Sequence, residues 1–194
     1  MRGLLIAFEG LDQSGKQTQA EALRDAVTAR GRRCELLSFP DYETAIGREI
    51  GAALQAHREY TPDVMQLLYI ANRFEKKPQI EEALAAETII VCDRYMASSV
   101  AYGEAQGLDG RWLAAIQRPL PQPDLTILLD IVPDTAARRK ATNRDRYERD
   151  LALLGRVRES YRRQAAEQQW LRLDGERDRS LVSADVIAAV VPQL

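Results

Sequence analysis

The stretch Gly10-Leu11-Asp12-Gln13-Ser14-Gly15-Lys16 stands between an apolar segment and an amphipathic one. Leu4 to Glu9 before it has the continuous apolar character of a buried strand, and the residues after it repeat at helical spacing. Glycines at 10 and 15 let the chain turn tightly, so that successive N–H groups can point at one anion. The following helix adds the positive end of its dipole, and Lys16 adds a mobile charge. The pattern predicts a phosphate-binding loop, and an ordinary strand-to-helix turn is the alternative.

Outward from this loop, apolar segments alternate with amphipathic ones along the chain. This alternation predicts an α/β fold with a central parallel five-stranded sheet flanked by helices. The chain has 194 residues, 45% of them hydrophobic, which suffices for one core, so residues 1–194 are expected to form a single domain. The further predicted strands are Cys34 to Phe39, Thr88 to Cys92, Asp124 to Ile131 and Trp170 to Asp174.

One predicted helix has a well-marked beginning. Thr61 can cap it and Pro62 stands at its first position. The apolar spacing extends it to about Glu75. Its expected core side consists of Val64, Leu67, Leu68 and Ala71.

Composition argues against several classes of partner. The net charge is −2 and the charged residues, 29% of the chain, are interspersed, whereas a nucleic-acid-binding domain usually has a basic face. The apolar runs are far shorter than the ~20 residues that cross a bilayer. The first residues resemble a strand more than a signal peptide. With two isolated cysteines, Cys34 and Cys92, the sequence favours a reducing, cytoplasmic setting.

The residue after Lys16 departs from the full phosphate-loop signature. That signature has Ser or Thr there, whose hydroxyl holds Mg²⁺, and here the residue is Gln17. Thr18 follows, but one helical residue is a rotation of about 100°, so its side chain points elsewhere. We expect Gln17 to contribute a weaker or water-mediated metal contact and a separate carboxylate to matter more.

Asp93 is the candidate for that carboxylate. It ends an apolar strand at the edge where a parallel sheet presents ligand-binding groups. Arg94 beside it supplies a cation. Phosphoryl transfer requires positioning, a metal and cations around the moving group. A strand end that simply reaches solvent is the alternative.

Two four-residue spacings predict a nucleoside pocket. Tyr69 and Arg73 share one helix face, which Met65 extends, and an aromatic plane with a guanidinium suits a heterocyclic base. Ser98 and Tyr102 form the second pair, with Ser99 as neighbour. Ordinary helix packing is the alternative for both pairs.

Together these features resemble thymidylate kinases. The resemblance is carried by Phe8-Glu9-Gly10-Leu11-Asp12, Gly15-Lys16, Phe39-Pro40-Asp41, Leu68-Tyr69-Ile70-Ala71-Asn72-Arg73, and Asp93-Arg94-Tyr95 with Ser98 and Ala101-Tyr102. It covers nearly the whole chain, with the motifs in the family's order. It implies a three-layer P-loop nucleoside-monophosphate kinase fold and transfer of a phosphoryl group from ATP to dTMP, with Mg²⁺, in a homodimeric protein.

Residue roles implied by this resemblance fall into three groups: phosphate binding, metal binding and acceptor binding. ATP phosphates would lie on the amides of Asp12 to Thr18, among them Gln13, Ser14 and Gln17, and on Lys16; Asp93 would organise Mg²⁺ and Arg94 contact phosphate. The acceptor would meet Asp12 near its 3′-hydroxyl, Phe39 and Pro40 along the cleft, Tyr69 stacked on thymine, Arg73 at a thymine carbonyl, Ser98 and Ser99 by the base, and Tyr102 under the deoxyribose.

A basic segment completes the expected machinery. Family members place a transition-state cation in the phosphate loop or on a lid, and this loop has Gln13 and no arginine. We expect the lid at residues 138–149, with a solvated helix face as the alternative. Its candidate cations are Arg138, Arg139, Arg144 and Arg146.

Two other functions remain open at this level. One is a kinase of the same fold with a different nucleotide acceptor, distinguished at Tyr69, Arg73, Ser99 and Tyr102. The other is a regulatory module that binds nucleotide without turnover, which Gln17 keeps open. The loop Gly175 to Arg179 is the expected adenine site, by analogy with the family.

Overall fold

The computed structural model describes residues 3–140, 142, 147 and 150–193. Within that part of the chain, five parallel strands form one sheet in the order β2-β3-β1-β4-β5, which confirms the predicted fold class. The elements in chain order are β1 (Leu5–Glu9), α1 (Lys16–Thr28), β2 (Cys34–Ser38), α2 (Ala45–Leu54), α3 (Pro62–Ala85), β3 (Ile89–Asp93), α4 (Met96–Ala105), α5 (Gly110–Ile116), β4 (Leu125–Asp130), α6 (Pro133–Arg139), α7 (Leu151–Glu167), β5 (Leu171–Asp174) and α8 (Arg179–Val190), followed by a 3₁₀ turn, Val191–Gln193.

The strand register gathers the predicted site residues at one edge of the sheet. β1 is central, between β3 and β4, and Phe8 pairs with Asp93. The carboxyl ends of β1 and β3 therefore lie side by side. Because ligands bind at this edge of open parallel sheets, the phosphate loop after β1 and the Asp93-Arg94 pair meet where the fold favours a site.

Side chains of the central strands alternate between two apolar layers. Ile6 and Phe8 pack with α1 and α8, whereas Leu5 and Ala7 pack toward the far half of α3. Helices therefore cover both faces, as the continuous apolar strands require. Cys34 and Cys92 lie in β2 and β3 as predicted, and both thiols are free.

Helix α3 differs from its sequence prediction in length and in orientation. It continues ten residues beyond Glu75, through Pro78 to Ala85, because Ile80 and Ala83 after the proline are buried. The predicted core side is wrong for two of its four residues: Val64 is 36% exposed and Leu67 44% exposed, whereas Leu68 packs against α2. The buried positions of this part of the helix are mixed instead, with Met65 and Ile70 beside the polar Gln66, Asn72 and Arg73.

Helix α5 had no counterpart in the sequence prediction. It has seven residues, and its Leu113 packs with Ile70 and Val100 under the cleft. Among the described residues, no helix is long and apolar enough to cross a membrane.

Candidate active site

The phosphate loop has the backbone that the glycine spacing predicts. Gly10 and Gly15 have φ of 138° and 97°, and Gln13 between them has φ of 62°. A Cβ atom at Gly10 would lie 2.4 Å from the Leu129 carbonyl oxygen, so a side chain is excluded there. Helix α1 begins directly after Gly15, at Lys16. The loop therefore presents backbone amides and a helix N-terminus to one space.

Lys16 is buried under this loop and is held by it. Its ammonium donates to the Leu11 carbonyl at 2.7 Å, and the residue is 5% exposed. Burial and the nearby Arg94 lower the pKa of Lys16 to about 8, against the attraction of Asp93 and Asp12. The ammonium is still mostly charged at neutral pH, and an anion in the loop would raise its pKa, so Lys16 is placed to bind phosphate.

Asp93 and Arg94 lie where β3 ends, next to the loop. The Oδ1 atom of Asp93 is buried and has no hydrogen-bond partner among the described residues. Arg94 adopts a left-handed backbone, with φ of 65°, and its N–H donates to the Phe8 carbonyl at 2.9 Å. Such a conformation is costly for a non-glycine residue and is typical of functional positions.

Arg94, Asp12 and Tyr102 form a charged cluster beside the loop. Arg94 Nη2 donates to Asp12 Oδ1 at 2.7 Å, and the Tyr102 hydroxyl donates to Asp12 Oδ2 at 3.2 Å. Burial alone would raise the pKa of Asp12, but Arg94 and Lys16 outweigh it and hold that pKa well below its ordinary value. The guanidinium also lies 5.5 Å from the Tyr102 ring centroid. The cluster therefore holds the Arg94 guanidinium and the Asp12 carboxylate in fixed positions beside the phosphate loop.

A second network beneath Arg94 was not predicted to have a role. Glu9 is fully buried and accepts from Ser98 Oγ at 2.6 Å, from the Tyr95 N–H at 2.9 Å and from the Tyr161 hydroxyl at 3.1 Å. Arg94 Nη1 donates to Tyr161 and Ser98 in turn. Glu9 occurs in the motif, but nothing in the sequence connects it with Tyr161.

A narrow cleft of about 510 Å³ brings together the residues predicted for a nucleoside. Arg73 is 2% exposed and donates to Ser99 Oγ at 2.8 Å, and its side chain stacks 6.0 Å from the Phe39 ring centroid. Burial lowers the pKa of the Arg73 guanidinium. The predicted residues in its lining are Asp12, Phe39, Pro40, Tyr69, Arg73, Arg94, Ser98, Ser99 and Tyr102.

Four further residues of the narrow cleft escaped the sequence reasoning: Tyr42, Leu54, Gln66 and Tyr147. Met65, expected on the Tyr69 face, packs in one cluster with Tyr69 and α2 but does not line the narrow cleft. Gln66 takes that place, three residues before Tyr69, and the i, i+3 spacing was the available signal.

A wide cleft of about 1530 Å³ lies over the phosphate loop. Asp12 to Gln19 form its base, and Asp93, Gly175, Arg177 and Arg179 line it, so the loop at 175–179 adjoins this cleft. Gln17 is exposed, and its Nε2 donates to Glu21 along the surface of α1. The described part of the chain holds no group of three or more His, Cys, Asp or Glu side chains suited to a metal ion.

The segment predicted as a lid begins on α6. Arg139 donates to the carbonyls of Gln13 and Gly175, both at 2.9 Å, and so joins the phosphate loop to the loop at 175–179. Arg138 donates to Thr135 within α6. Arg144 and Arg146 lie outside the described residues. Tyr147 packs edge-on against Tyr102, with ring centroids 5.8 Å apart.

The two clefts share a wall. Asp12, Phe39, Pro40, Tyr42 and Arg94 line both of them. Two ligands, one in each cleft, would therefore meet beside the Asp12–Arg94 pair, which is the arrangement that direct group transfer requires.

Comparison with known proteins gives one consistent family. The model of the family described as thymidylate kinase matches residues 8–186. Among curated relatives, the thymidylate kinase of Dictyostelium discoideum is 34% identical over 95% of this chain and 83% of its own length. The thymidylate kinase of Arabidopsis thaliana is 43% identical over 76% of this chain and 56% of its own length. A solved thymidylate kinase from Candida albicans superposes with a TM-score of 0.87 at 28% identity, covering 99% of this chain and 92% of that one.

Proposed function

The chain belongs to the thymidylate kinase family, and from that premise we propose that its narrow cleft binds dTMP and its wide cleft binds ATP. The family activity is transfer of the γ-phosphoryl group of ATP to dTMP, giving dTDP and ADP for dTTP synthesis. The main support for this proposal is the wall that the two clefts share, because Asp12 and Arg94 in that wall lie where the two nucleotides would meet.

The phosphate chemistry is assigned to the loop and to Arg94. Backbone amides from Asp12 to Thr18 and the ammonium of Lys16 hold the ATP phosphates, while Arg94 balances charge on the group in transit. The Asp12 carboxylate and the Tyr161 and Ser98 hydroxyls fix the Arg94 side chain in the position where it is needed.

Magnesium is assigned to Asp93. Asp93 lines the wide cleft over the phosphate loop, and its buried Oδ1 has no hydrogen-bond partner in the described part of the chain, which supports this carboxylate as a ligand of a hard cation. When bound there, the ion would neutralise part of the charge on the ATP phosphates. The Gln17 amide is engaged by Glu21, which favours Asp93 and water over Gln17 as metal contacts.

Base and sugar recognition is assigned to the narrow cleft. Phe39 and Pro40 form a wall, Tyr69 stacks on thymine, and Arg73, held by Ser99, donates to a thymine carbonyl. Tyr102 lies under the deoxyribose, where it would crowd a 2′-hydroxyl, and Asp12 lies near the 3′-hydroxyl.

A lid over residues 138–149 is assigned to close the wide cleft. Arg139 already contacts the loop at 175–179, the proposed adenine site, so the lid starts from a fixed base. Arg144 and Arg146 are the proposed transition-state cations. Replacing them with alanine should lower kcat by up to ~10³-fold and change ATP affinity little. Wild-type kcat in both variants would contradict the lid assignment.

The larger organisation follows the family. We propose that residues 1–194 are one catalytic domain that forms a cytoplasmic homodimer, with no nucleic-acid or membrane partner. Val64 and Leu67 support a dimer surface on α3, since both are exposed apolar side chains on one helix. A monomer in light scattering at micromolar concentration would contradict the dimer.

The acceptor assay tests the function most directly. ADP release should be measured over dTMP, dUMP, dCMP, dGMP and UMP, and dTMP should have the highest kcat/KM. Preference for another acceptor would favour a different nucleotide kinase of the same fold. ATP binding without acceptor-dependent ADP release would favour the regulatory module.

A further inference from the structure

Gln66 is the least exposed polar residue of the narrow cleft. It is 0% exposed, although it belongs to a cleft that the solvent reaches, and it stands three and seven residues before Tyr69 and Arg73 on α3. These spacings place the three side chains on one helix face. Its Cγ lies 3.5 Å from the position that a Cβ atom at Gly103 would occupy, so its stem rests against α4.

The carboxamide of Gln66 is unpartnered. Neither Oε1 nor Nε2 has a hydrogen-bond partner within the described residues. The other buried glutamines of the described chain all have partners: Gln19 bonds Arg179 and Ser183, Gln117 bonds Met96 and Arg73, and Gln164 bonds Ala97 and Ser160. An unpaired buried amide is costly and therefore rare in folded proteins. Because this one lines a cleft, its partner is expected to be a ligand.

The Nε atom of Arg73 is unpartnered in the same way, again counting only described residues. Arg73 can only donate, whereas an amide can donate and accept. A pyrimidine with a carbonyl beside an N–H offers an acceptor and a donor on one edge. Arg73 can donate to the carbonyl of that edge, and the Gln66 amide can accept from its N–H.

We infer that Gln66 is a specificity-determining residue, whose carboxamide hydrogen-bonds to the polar edge of the pyrimidine bound in the narrow cleft. The inference rests on the proposed function, since it takes the acceptor to be a pyrimidine nucleotide. It adds a second base-reading group to Arg73. It also explains why the fold keeps an amide where an apolar side chain would stabilise the unliganded protein.

The test is Gln66→Met, which keeps length and flexibility and removes both polar atoms. The matched control is Gln164→Met, because Gln164 is 4% exposed, lies on α7 and has its partners within the protein. For each variant, KM for dTMP and for ATP, the dTMP to dCMP ratio of kcat/KM, and the unliganded melting temperature should be measured.

Gln66→Met should raise KM for dTMP about tenfold, the effect of one lost hydrogen bond, and leave KM for ATP within about twofold. The preference for dTMP over dCMP should narrow, and the melting temperature should stay level or rise. Gln164→Met should lower the melting temperature and leave KM for dTMP unchanged.

Unchanged KM and unchanged base preference in Gln66→Met would overturn the inference while leaving the proposed function intact. Equal loss of dTMP and ATP binding would also overturn it, because general damage would then explain the effect. A wild-type protein that does not phosphorylate dTMP would instead refute the proposed function, and this inference with it.

Discussion

Two buried polar regions flank Arg94. In one the polar groups are hydrogen-bonded within the protein, and in the other they are not. Under the phosphate loop, Glu9 is fully buried and accepts hydrogen bonds from Ser98, Tyr95 and Tyr161. In the narrow cleft, Gln66 is just as buried and has no partner within the described chain. Burial alone therefore does not distinguish scaffold from site; hydrogen-bond satisfaction does.

This difference has opposite energetic consequences. A satisfied buried network stabilises the fold, and removing one member leaves the others unpaired. An unsatisfied buried group weakens the unliganded fold and recovers that free energy when a ligand supplies the partner. Substitutions in the first region should therefore affect stability first, and those in the second should affect ligand handling first.

The largest effect is expected from Asp93→Asn. The Oδ1 atom of Asp93 is one of the buried atoms without a hydrogen-bond partner among the described residues, so the melting temperature should stay nearly unchanged. By weakening the metal site, the change should lower kcat on the order of 10²–10³-fold. Steady-state assays over a magnesium titration, with thermal melts, measure both. Near-normal turnover would refute the assignment of magnesium to Asp93.

Asp130→Asn is the matched control for that change. Asp130 also ends a strand, β4, but its carboxylate is bonded by Arg158 at 2.6 Å and by Arg172 at 2.6 Å. Burial opposes these arginines, yet they hold the pKa of Asp130 below its ordinary value. The variant should lose roughly 1–2 kcal/mol of stability, a factor of about 5–30 in the ratio of folded to unfolded protein, and keep kcat within about threefold.

Glu9→Ala should have the largest effect on folding. Removal of the carboxylate leaves several buried donors without an acceptor. The free energy of unfolding, measured by urea titration, should therefore fall by about 3 kcal/mol. Glu21→Ala is the control, because Glu21 accepts from Gln17 on the surface of α1, and its effect should stay within about 0.5 kcal/mol. If both variants unfolded alike, the Glu9 network would not be a scaffold.

Arg73→Lys should weaken binding of the acceptor nucleotide, dTMP, without affecting stability. Lysine keeps the charge and loses the planar fork that reaches Ser99 and the base, so KM for dTMP should rise about tenfold with little change in melting temperature. Arg24→Lys, at a partly exposed ion pair with Asp25, should change neither quantity. A loss of stability without a change in KM would place Arg73 in the scaffold.

The smallest effect is a pH dependence through Lys16. Its pKa of about 8 means that the ammonium is mostly charged below that pH and mostly neutral above it. Because only the charged form attracts phosphate, kcat/KM for ATP should decline above pH 8. Bound phosphate raises the pKa of Lys16, so kcat should stay level to higher pH. Lys16→Arg should remove the decline. An unchanged decline in that variant would assign it to another group.

The local spacing of residues was sufficient to predict much of the site. It failed for residues whose role depends on whether their side chains are buried. The phosphate loop, Asp93-Arg94 and the Tyr69/Arg73 face follow from short motifs, and the parallel sheet follows from alternating segments. Gln66 did not, because its spacing to Tyr69 shows which helix face it shares but not that its amide is buried and unpartnered. The Val64 and Leu67 prediction failed for the same reason, because apolar residues were assumed to face inward on a helix whose buried positions are partly polar.

Tyr161 had no signal either, because its partner Glu9 lies 152 positions earlier in the chain. That separation also determines when the site can assemble. Contacts between such distant residues require most of the chain to be in place first. During synthesis the phosphate loop emerges early, but the hydroxyl that completes its foundation arrives only with α7. A nascent chain or fragment ending before α7 would contain every recognisable motif of the loop and still lack a finished nucleotide site.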